Sequence, residues 1–230
     1  MSARTPPSTR GFPVDRSSQG FEGGTATMPA VPQVHLVRVA DVPAVAASLV
    51  RAFQDDPMLT YMFPDPRTRE RAMLRFFKLQ LRQTYLKRGL AYTTDDCRST
   101  ALWMPPRSGP PPMRDVIAQL PMLWVLGRRA GAALRLVQVV ESRHPKTPHY
   151  YLGGLGTDPQ WQGRGLGSAV MAPVLETCDR EGLAAYLESS KEVNVGFYRH
   201  HGFEVTGEVD VPDSSLRLWL MWREPLRPTL

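Results

Sequence analysis

From residue 34 onward, apolar residues recur at spacings that predict a series of strands and helices. Runs of β-branched and aliphatic residues predict strands, and apolar residues three or four positions apart predict amphipathic helices. We expect strands at 35–39, 89–94, 99–104, 150–157, 184–188, 203–209 and 216–222. We expect helices at about 41–53, 68–87, 113–126, 128–143, 165–180 and 193–200. This order indicates an α/β domain with a mixed central sheet of about six to seven strands flanked by helices.

Capping residues and prolines predict where several of these helices begin or break. Asp41 is a good N-cap for the first helix, and the polar segment 54–57 should end that helix. The Gly-Pro-Pro-Pro run at 109–112 breaks the chain, so 107–146 is expected to form a helical insertion between two strands. Pro121 should kink or split the first helix of this insertion.

The first 33 residues lack apolar periodicity and are rich in Pro, Ser, Thr and Gly, which predicts a disordered extension. The remainder, 34–230, is expected to be a single domain. This extension has no apolar core typical of a secretory signal, and the chain has no apolar run of about 18 residues. Two cysteines, Cys97 and Cys178, make no disulfide framework. We therefore expect a cytoplasmic protein with reduced thiols and no membrane contact.

The formal net charge of +6 suits either nucleic acid or an anionic small cofactor. The basic residues are scattered, and no Lys/Arg run alternates with aromatic residues as a single-strand binding groove requires. The histidines and cysteines show no spacing typical of a zinc site. The sequence therefore predicts no nucleic-acid partner and no metal, and leaves an anionic cofactor as the better explanation of the charge.

A glycine-rich run joins the strand at 150–157 to the next helix, with the sequence Gln162-Gly163-Arg164-Gly165-Leu166-Gly167-Ser168. Glycines let a backbone approach a ligand, and the free N–H groups of a first helical turn attract anions such as pyrophosphate. The P-loop motif and the dinucleotide motif G-x-G-x-x-G both fail here. The remaining pattern is Gln-x-x-Gly-x-Gly. A turn that merely joins strand to helix is the alternative. Glycines at 153, 154 and 156 predict a bulge or a close ligand contact in the preceding strand.

Together with its surroundings, this run resembles the GNAT acetyltransferase superfamily, and within it the puromycin-type N-acetyltransferases. The stretches that carry the resemblance are 155–161, 162–170, 186–190, Asn194, 197–198 and 202–206, with a weaker match at 52–53, 56–57 and 63–65. The resemblance extends over about 34–225 as architecture and is most specific over 150–206.

The resemblance implies a GNAT fold, in which the strands at 150–157 and 184–188 splay into a V-shaped cleft for acetyl-CoA, the acyl donor. Backbone groups of Leu155 and Thr157 would bond the pantetheine arm, and an N–H near Leu155 would polarise the thioester carbonyl. The implied cofactor-binding residues are Leu155, Gly156, Thr157, Gln162, Gly163, Arg164, Gly165, Leu166, Gly167, Ser168 and Asn194.

Acetyl transfer requires the amine to lose a proton and the departing thiolate to gain one. Tyr198 matches the family's tyrosine that faces the sulfur and would protonate coenzyme A; Asn194 lies one helical turn earlier. Glu188 matches a glutamate of the puromycin-type enzymes and would act as the base or bind the substrate ammonium. A packed core tyrosine, a helix-capping asparagine and a solvent-exposed glutamate remain the alternatives.

The expected function is acetyl-CoA-dependent N-acetylation of a primary amine on a small molecule, with antibiotics among the candidates. Acetylation of a protein lysine or N-terminus and coenzyme A binding without turnover are the alternatives. The inserted helices are the best candidates for acceptor selectivity. His144 at their end is a candidate lining residue of the acceptor pocket, but the sequence alone does not assign it to the site. Trp161 would anchor the loop or cover the pyrophosphate. A monomer or a homodimer is expected.

Overall fold

A computed structural model of the chain describes residues 32–88, 90–106 and 120–226. In these residues seven strands form one sheet in the order β1-β2-β3-β4-β5-β7-β6. The strands are β1 Val34–Leu36, β2 Ala91–Thr94, β3 Ser99–Met104, β4 His149–Thr157, β5 Ala184–Ser189, β6 Glu204–Asp210 and β7 Arg217–Arg223. Neighbouring strands are antiparallel except β4 and β5, which are parallel. The predicted α/β fold with a mixed sheet is confirmed.

Helices lie close to their predicted positions. They are α1 Val42–Ala52, α2 Pro57–Met62, α3 Pro66–Gln80, α4 Leu120–Leu126, α5 Ala130–Arg143, α6 Leu166–Glu181 and α7 Val195–His200. Helix α3 continues through a π-helical turn, Leu81–Tyr85, into a last turn, Leu86–Arg88. The predicted extension and the first part of the predicted insertion, 107–119, lie outside the described residues. None of the described helices is long and apolar enough to cross a bilayer.

One capping prediction is wrong, and one short helix was not predicted. Asp41 occupies the N-cap position of α1, but its side chain makes no cap and instead accepts a hydrogen bond from Arg38 N at 2.8 Å. The segment 54–57 ends α1 but also begins a helix that the sequence analysis missed, α2. Asp56 caps α2 by accepting from Leu59 N at 2.9 Å, and Pro57 occupies its first turn.

Helices cover both faces of the sheet and build two cores. Helix α1 buries a stripe of four residues, Val42, Val45, Ala46 and Leu49, on one face, where α3 and α5 also pack. Helix α6 buries Val170, Met171, Val174, Leu175 and Cys178 on the other face. Each fully buried aliphatic side chain contributes about 1.5–3 kcal/mol. The central strands β3 and β4 are therefore held between α1 and α6.

The sheet opens between its two parallel strands. Strands β4 and β5 pair only where His149, Tyr150 and Tyr151 meet Ala184, Ala185 and Tyr186. Gly153 is an extra residue in the β3–β4 ladder, since Trp103 pairs with Leu152 and Leu102 with Gly154. Such a bulge bends a strand. Beyond these residues, β4 and β5 have no paired positions in the described chain, in agreement with the splayed strands that the family resemblance implied.

Candidate active site

The loop before α6 is shaped by two glycines in the left-handed conformation. Gly163 has φ of 73° and Gly165, the N-cap of α6, has φ of 76°. A Cβ atom at either position would meet nothing within 4 Å, so backbone conformation and not crowding requires glycine there. The first helical bond runs from Ala169 N to Gly165 O, and no side chain caps the helix. The N–H groups of 166–168 are therefore available to an anion.

The start of α6 lies beside the end of β4 and beside α7. A Cβ on Gly167 would stand 3.6 Å from Thr157 Oγ1 and 3.4 Å from the Phe197 ring. The Gln162 side chain donates to Thr157 O at 3.2 Å, and Thr157 Oγ1 lies 2.8 Å from Ser99 Oγ. The structure thus brings the predicted loop, the end of the predicted cofactor strand and the predicted catalytic helix to one place.

Close packing requires glycine at two positions of β4. A Cβ on Gly156 would lie 2.8 Å from both Leu49 and Phe53, so this position lets α1 approach β4. A Cβ on Gly153 would lie 2.6 Å from the Tyr85 hydroxyl. Between them, Leu155 is partly buried against the core on the α6 face. The β4 edge that faces β5 has no strand partner in the described chain beyond Tyr151.

Trp161 is held between two guanidinium groups. The Arg98 guanidinium lies 3.3 Å from the ring centroid and the Arg164 guanidinium 4.4 Å. Asp158 begins this turn and accepts from Arg51 Nε at 2.7 Å. Cation–π contacts of this kind stabilise by about 0.5–1 kcal/mol when exposed. Trp161 is therefore a loop anchor that keeps the Arg164 charge beside the glycine loop.

Tyr198 lies on α7 and faces the core between the sheet and α6. It is 8% exposed and packs against Phe197 and Phe203, with ring centroids 5.4 and 6.0 Å away. Burial raises the pKa of Tyr198 well above its ordinary value, and the nearby Asp56 charge raises it further. The phenol therefore keeps its proton at neutral pH. Asn194, at the N-cap of α7, is exposed and makes no side-chain cap.

Asp56 lies near Tyr198, and the sequence analysis considered it only as part of the segment that ends α1 and of the weaker family match. It is 6% exposed, and besides capping α2 it accepts a hydrogen bond from Ser190 Oγ. Desolvation by burial raises the pKa of Asp56. Its neighbour Asp55 pairs with Lys191 Nζ at 2.6 Å. The α1–α2 loop is thereby fixed to the chain that follows β5, and the Asp-Pro pair was the signal for the cap.

Glu188 lies on the opposite face of β5 from Tyr198. Leu187 packs into the α6 core, so the next residue faces the other side of the sheet. The Glu188 side chain is only 2% exposed, which rules out the solvent-exposed alternative. Its charge adds to burial in raising the pKa of Tyr151 and of Tyr186, whose rings stack 6.1 Å apart.

The inserted helices place His144 next to Glu188. His144 is the C-cap of α5, and its Nδ1 lies 3.7 Å from Glu188 Oε1. Its Nε2 lies 3.1 Å from His149 Nε2, and His149 Nδ1 lies 2.7 Å from Thr147 O. Burial lowers the pKa of His149. In the described part of the chain, no group of three His, Cys, Asp or Glu side chains is arranged to hold a metal ion.

Comparisons with known proteins agree with this geometry. Residues 96–203 match the sequence model of the acetyltransferase (GNAT) family. The chain is 27% identical over 207 residues to an uncharacterized N-acetyltransferase of Schizosaccharomyces pombe. This alignment covers 82% of each protein.

Two solved structures share the fold. One, described as histone acetyltransferase HPA2 and related acetyltransferase from Corynebacterium glutamicum, has 26% identity and a TM-score of 0.67 over 87% of this chain and 99% of that one. The polyamine N-acetyltransferase of Drosophila melanogaster has 14% identity and a TM-score of 0.57 over 84% of this chain and 99% of that one. The second likeness concerns the fold alone.

Proposed function

We propose that the chain is an acyltransferase of the GNAT superfamily and that it transfers acetyl from acetyl-CoA directly to the primary amine of a small molecule. The observation that carries the proposal is the parting of β4 and β5 beside the uncapped N-terminus of α6. An extended pantetheine arm can bond to free strand edges, and a pyrophosphate suits the free N–H groups of a first helical turn.

On the donor side, main-chain N–H groups of 162–168 hold the pyrophosphate in this proposal, with the Arg164 charge beside them. Backbone groups of Leu155, Gly156 and Thr157 bond the pantetheine. A backbone N–H near Leu155 meets the negative charge that develops on the thioester oxygen, an effect of about 3–4 kcal/mol in acyl transfer. The exposed Asn194 amide is free to reach the pantetheine from α7.

The proton steps divide between the two faces of β5. Tyr198 stays protonated because its pKa is raised, so it can donate to the thiolate as the carbon–sulfur bond breaks. Glu188, buried on the other face, binds the amine as an ammonium or takes its proton. This arrangement lets donor and acceptor approach the reacting carbonyl from opposite sides of the cleft.

The acceptor side supports a small molecule. Glu188 is enclosed by aromatic rings of Tyr151, Tyr186 and His144, and the inserted helices are fixed near it. Between α4 and α5, Arg129 donates to Tyr61 O of α2 at 2.7 Å. An amine that carries an aromatic or other flat apolar group fits such walls. Puromycin, which the sequence resemblance suggested, is one such amine.

A protein lysine is the second candidate acceptor, favoured by the name of the Corynebacterium glutamicum structure. A peptide needs an open groove, whereas a small molecule needs an enclosed pocket. Coenzyme A binding without turnover is the third candidate. The presence of Tyr198 and Glu188 argues against it, because the transfer needs a proton donor for the thiolate and a carboxylate for the amine.

The decisive experiment has two stages. Calorimetry with coenzyme A first measures the donor site. Acetyl-CoA is then supplied with puromycin, 2-phenylethylamine, spermidine or a lysine-containing peptide, and free thiol is measured. Thiol release with a small amine but not with the peptide supports the proposal. Release with the peptide alone favours the second candidate, and coenzyme A binding without release from any acceptor favours the third.

A further inference from the structure

Three buried polar atoms on the acceptor side form no hydrogen bond of normal length and angle in the described residues, although the Tyr186 hydroxyl interacts with Glu188 closely enough to raise the pKa of Tyr186. They are Glu188 Oε1, Tyr186 Oη and His144 Nδ1, and they make up three of seven such atoms in the described chain. Leaving a buried polar atom unpaired costs about 1–3 kcal/mol. Three in one place therefore indicate that a ligand with several hydrogen-bond donors belongs there.

The neighbouring hydrogen bonds fix the tautomer of His144. Thr147 O can only accept, so His149 Nδ1 carries the proton in their 2.7 Å contact. Burial lowers the pKa of His149, which keeps this ring neutral and leaves its Nε2 as an acceptor. His144 Nε2 must then donate across the 3.1 Å contact. In a neutral His144, the Nδ1 lone pair consequently faces Glu188 Oε1.

Two acceptors 3.7 Å apart repel unless a donor lies against both of them. We infer that this donor is the ammonium group of the acceptor, and that His144 Nδ1 takes its proton while Glu188 holds its charge. The inference rests on the proposed function, since it assigns the base of the same site. A primary ammonium has three N–H bonds, and the site offers Glu188 Oε1, Tyr186 Oη and His144 Nδ1 to receive them.

Each proton in this scheme has a destination. One N–H bond of the ammonium breaks as an N–H bond to His144 Nδ1 forms, which leaves a neutral amine and an imidazolium beside the Glu188 carboxylate. The amine nitrogen then bonds to the thioester carbon and the carbon–sulfur bond breaks. The nitrogen, positively charged after the attack, gives its second proton to water, Tyr198 gives its proton to the departing thiolate, and the resulting phenolate takes a proton back from water. The imidazolium releases its proton to water, because the His144 side chain is 26% exposed.

The charge and packing around His144 suit this role. The titratable groups that face it are His149 and Tyr151 from β4, and Tyr186 and Glu188 from β5. The rings of Tyr151 and Tyr186 meet the imidazole edge to face at 5.1 and 5.2 Å and hold its plane. Glu188 is therefore the one carboxylate among these groups, and it stabilises the imidazolium that the transfer creates.

The first test needs no turnover. Nitrogen-15 NMR of histidine-labelled full-length protein, saturated with coenzyme A at pH 7.5, reports the tautomer of each ring. We expect His144 as the neutral Nε2–H form. Methylammonium chloride should shift its Nδ1 signal saturably, whereas tetramethylammonium, which has the same charge and no N–H, should not. An imidazolium at pH 7.5 without amine, or equal shifts with both ions, would overturn the inference.

The second test uses the pH profile. His144→Asn places an acceptor near the Nδ1 position but cannot carry the proton. We expect kcat/KM for 2-phenylethylamine to fall by about 10²-fold or more, with loss of the acidic limb of the profile. Glu188→Gln should keep that limb and raise KM. The control is His200→Asn, at an exposed position on α7, which should change neither.

The outcomes separate the two claims. If the wild type acetylates 2-phenylethylamine and His144→Asn keeps its rate and acidic limb, His144 is not the base although the function stands. If no amine supports thiol release, the proposed function fails, and the methylammonium experiment still decides whether the three atoms form an ammonium site.

Discussion

Tyr198 and Asp56 lie close enough for the Asp56 charge to raise the pKa of the tyrosine, and both side chains are buried. A buried phenol keeps its proton at neutral pH, whereas ionisation of a buried carboxyl lowers the stability of the folded protein. These two residues therefore allow separate tests, one of catalysis and one of stability.

Replacement of Tyr198 by Phe removes the proposed acid and keeps the ring. We expect kcat to fall by about 10²-fold, because general acid catalysis contributes at least that much, while KM for acetyl-CoA changes little. Release of free thiol measures the rate. Tyr150→Phe is the matched control, since the Tyr150 hydroxyl donates to Glu181 at 2.9 Å, away from the cleft. Thiol release by Tyr198→Phe at the parental rate would remove Tyr198 from the mechanism.

Asp56→Asn should change how stability depends on pH. The pKa of Asp56 is raised above 3.8 by burial, so the protonated carboxyl favours the fold, and that stability disappears as pH rises through the raised value. Asparagine caps a helix equally well and cannot ionise. The variant should therefore gain stability relative to the parent between pH 4 and pH 7.5, as measured by urea unfolding.

Asp65→Asn provides the control of opposite sign. Asp65 also caps a helix with proline in its first turn, but Arg67 lowers the pKa of this exposed carboxyl. Its ionised form favours the fold, so the stability it contributes is present above its unfolded pKa of 3.8 and is lost as pH falls below that value. Relative to the parent, Asp65→Asn should therefore lose stability as pH rises through the acidic range around 3.8 and show a nearly constant difference at higher pH. If both variants respond to pH in the same direction, burial does not raise the pKa of Asp56.

Residue contacts such as Glu188 with His144 were beyond the reach of the sequence. The family resemblance singled out Glu188, but the side chain that meets it, His144, lies 44 residues earlier, at the end of an insertion that folds back. A local sequence pattern does not show that the end of this insertion packs against β5. The histidine tautomers likewise depend on a carbonyl, Thr147 O, that no side-chain motif includes.

Among the elements, α6 carries equivalent glycines at its two ends. Gly165 at the N-cap has φ of 76° and Gly182 at the C-cap has φ of 67°, and neither has atoms near a built Cβ. Alanine at either position should cost about 1–2 kcal/mol of unfolding free energy. Only Gly165→Ala should weaken coenzyme A binding, by about tenfold or more, because it reorients the N–H groups that we propose hold the pyrophosphate. Calorimetry on both variants tests this; equal affinities would contradict the assigned anion site.

The sequence predicted elements well wherever periodicity was strong, and poorly where a few residues carried the structure. Helix α6 and strands β3 and β7 follow from their apolar patterns. Helix α2 was missed because six residues are too few for a periodic signal. The glycines of β4 indicated a bulge, but only the paired register shows that Gly153 forms it and that Gly156 serves packing against α1.

At the scale of the whole molecule, the sites proposed for the two substrates carry opposite charges. On the donor side the loop carries Arg164 and free N–H groups, whereas the acceptor side presents the buried carboxylate of Glu188. Coenzyme A is a polyanion and the amine is a cation, so each side suits its own substrate. The net charge of +6 adds long-range attraction for the donor.

Salt should therefore affect the two substrates differently. Between about 50 and 500 mM NaCl the Debye length falls well below 10 Å, so attraction between the exposed loop and acetyl-CoA weakens and its KM rises several-fold. The KM for the amine should change little, because a buried charge is screened less.

Arg164→Gln and Arg217→Gln remove one exposed charge each, the second from a pair with Asp210 on β6. If net charge governs donor binding, both variants lower the salt dependence equally. If the loop governs it, as the position of Arg164 against Trp161 indicates, only Arg164→Gln does so.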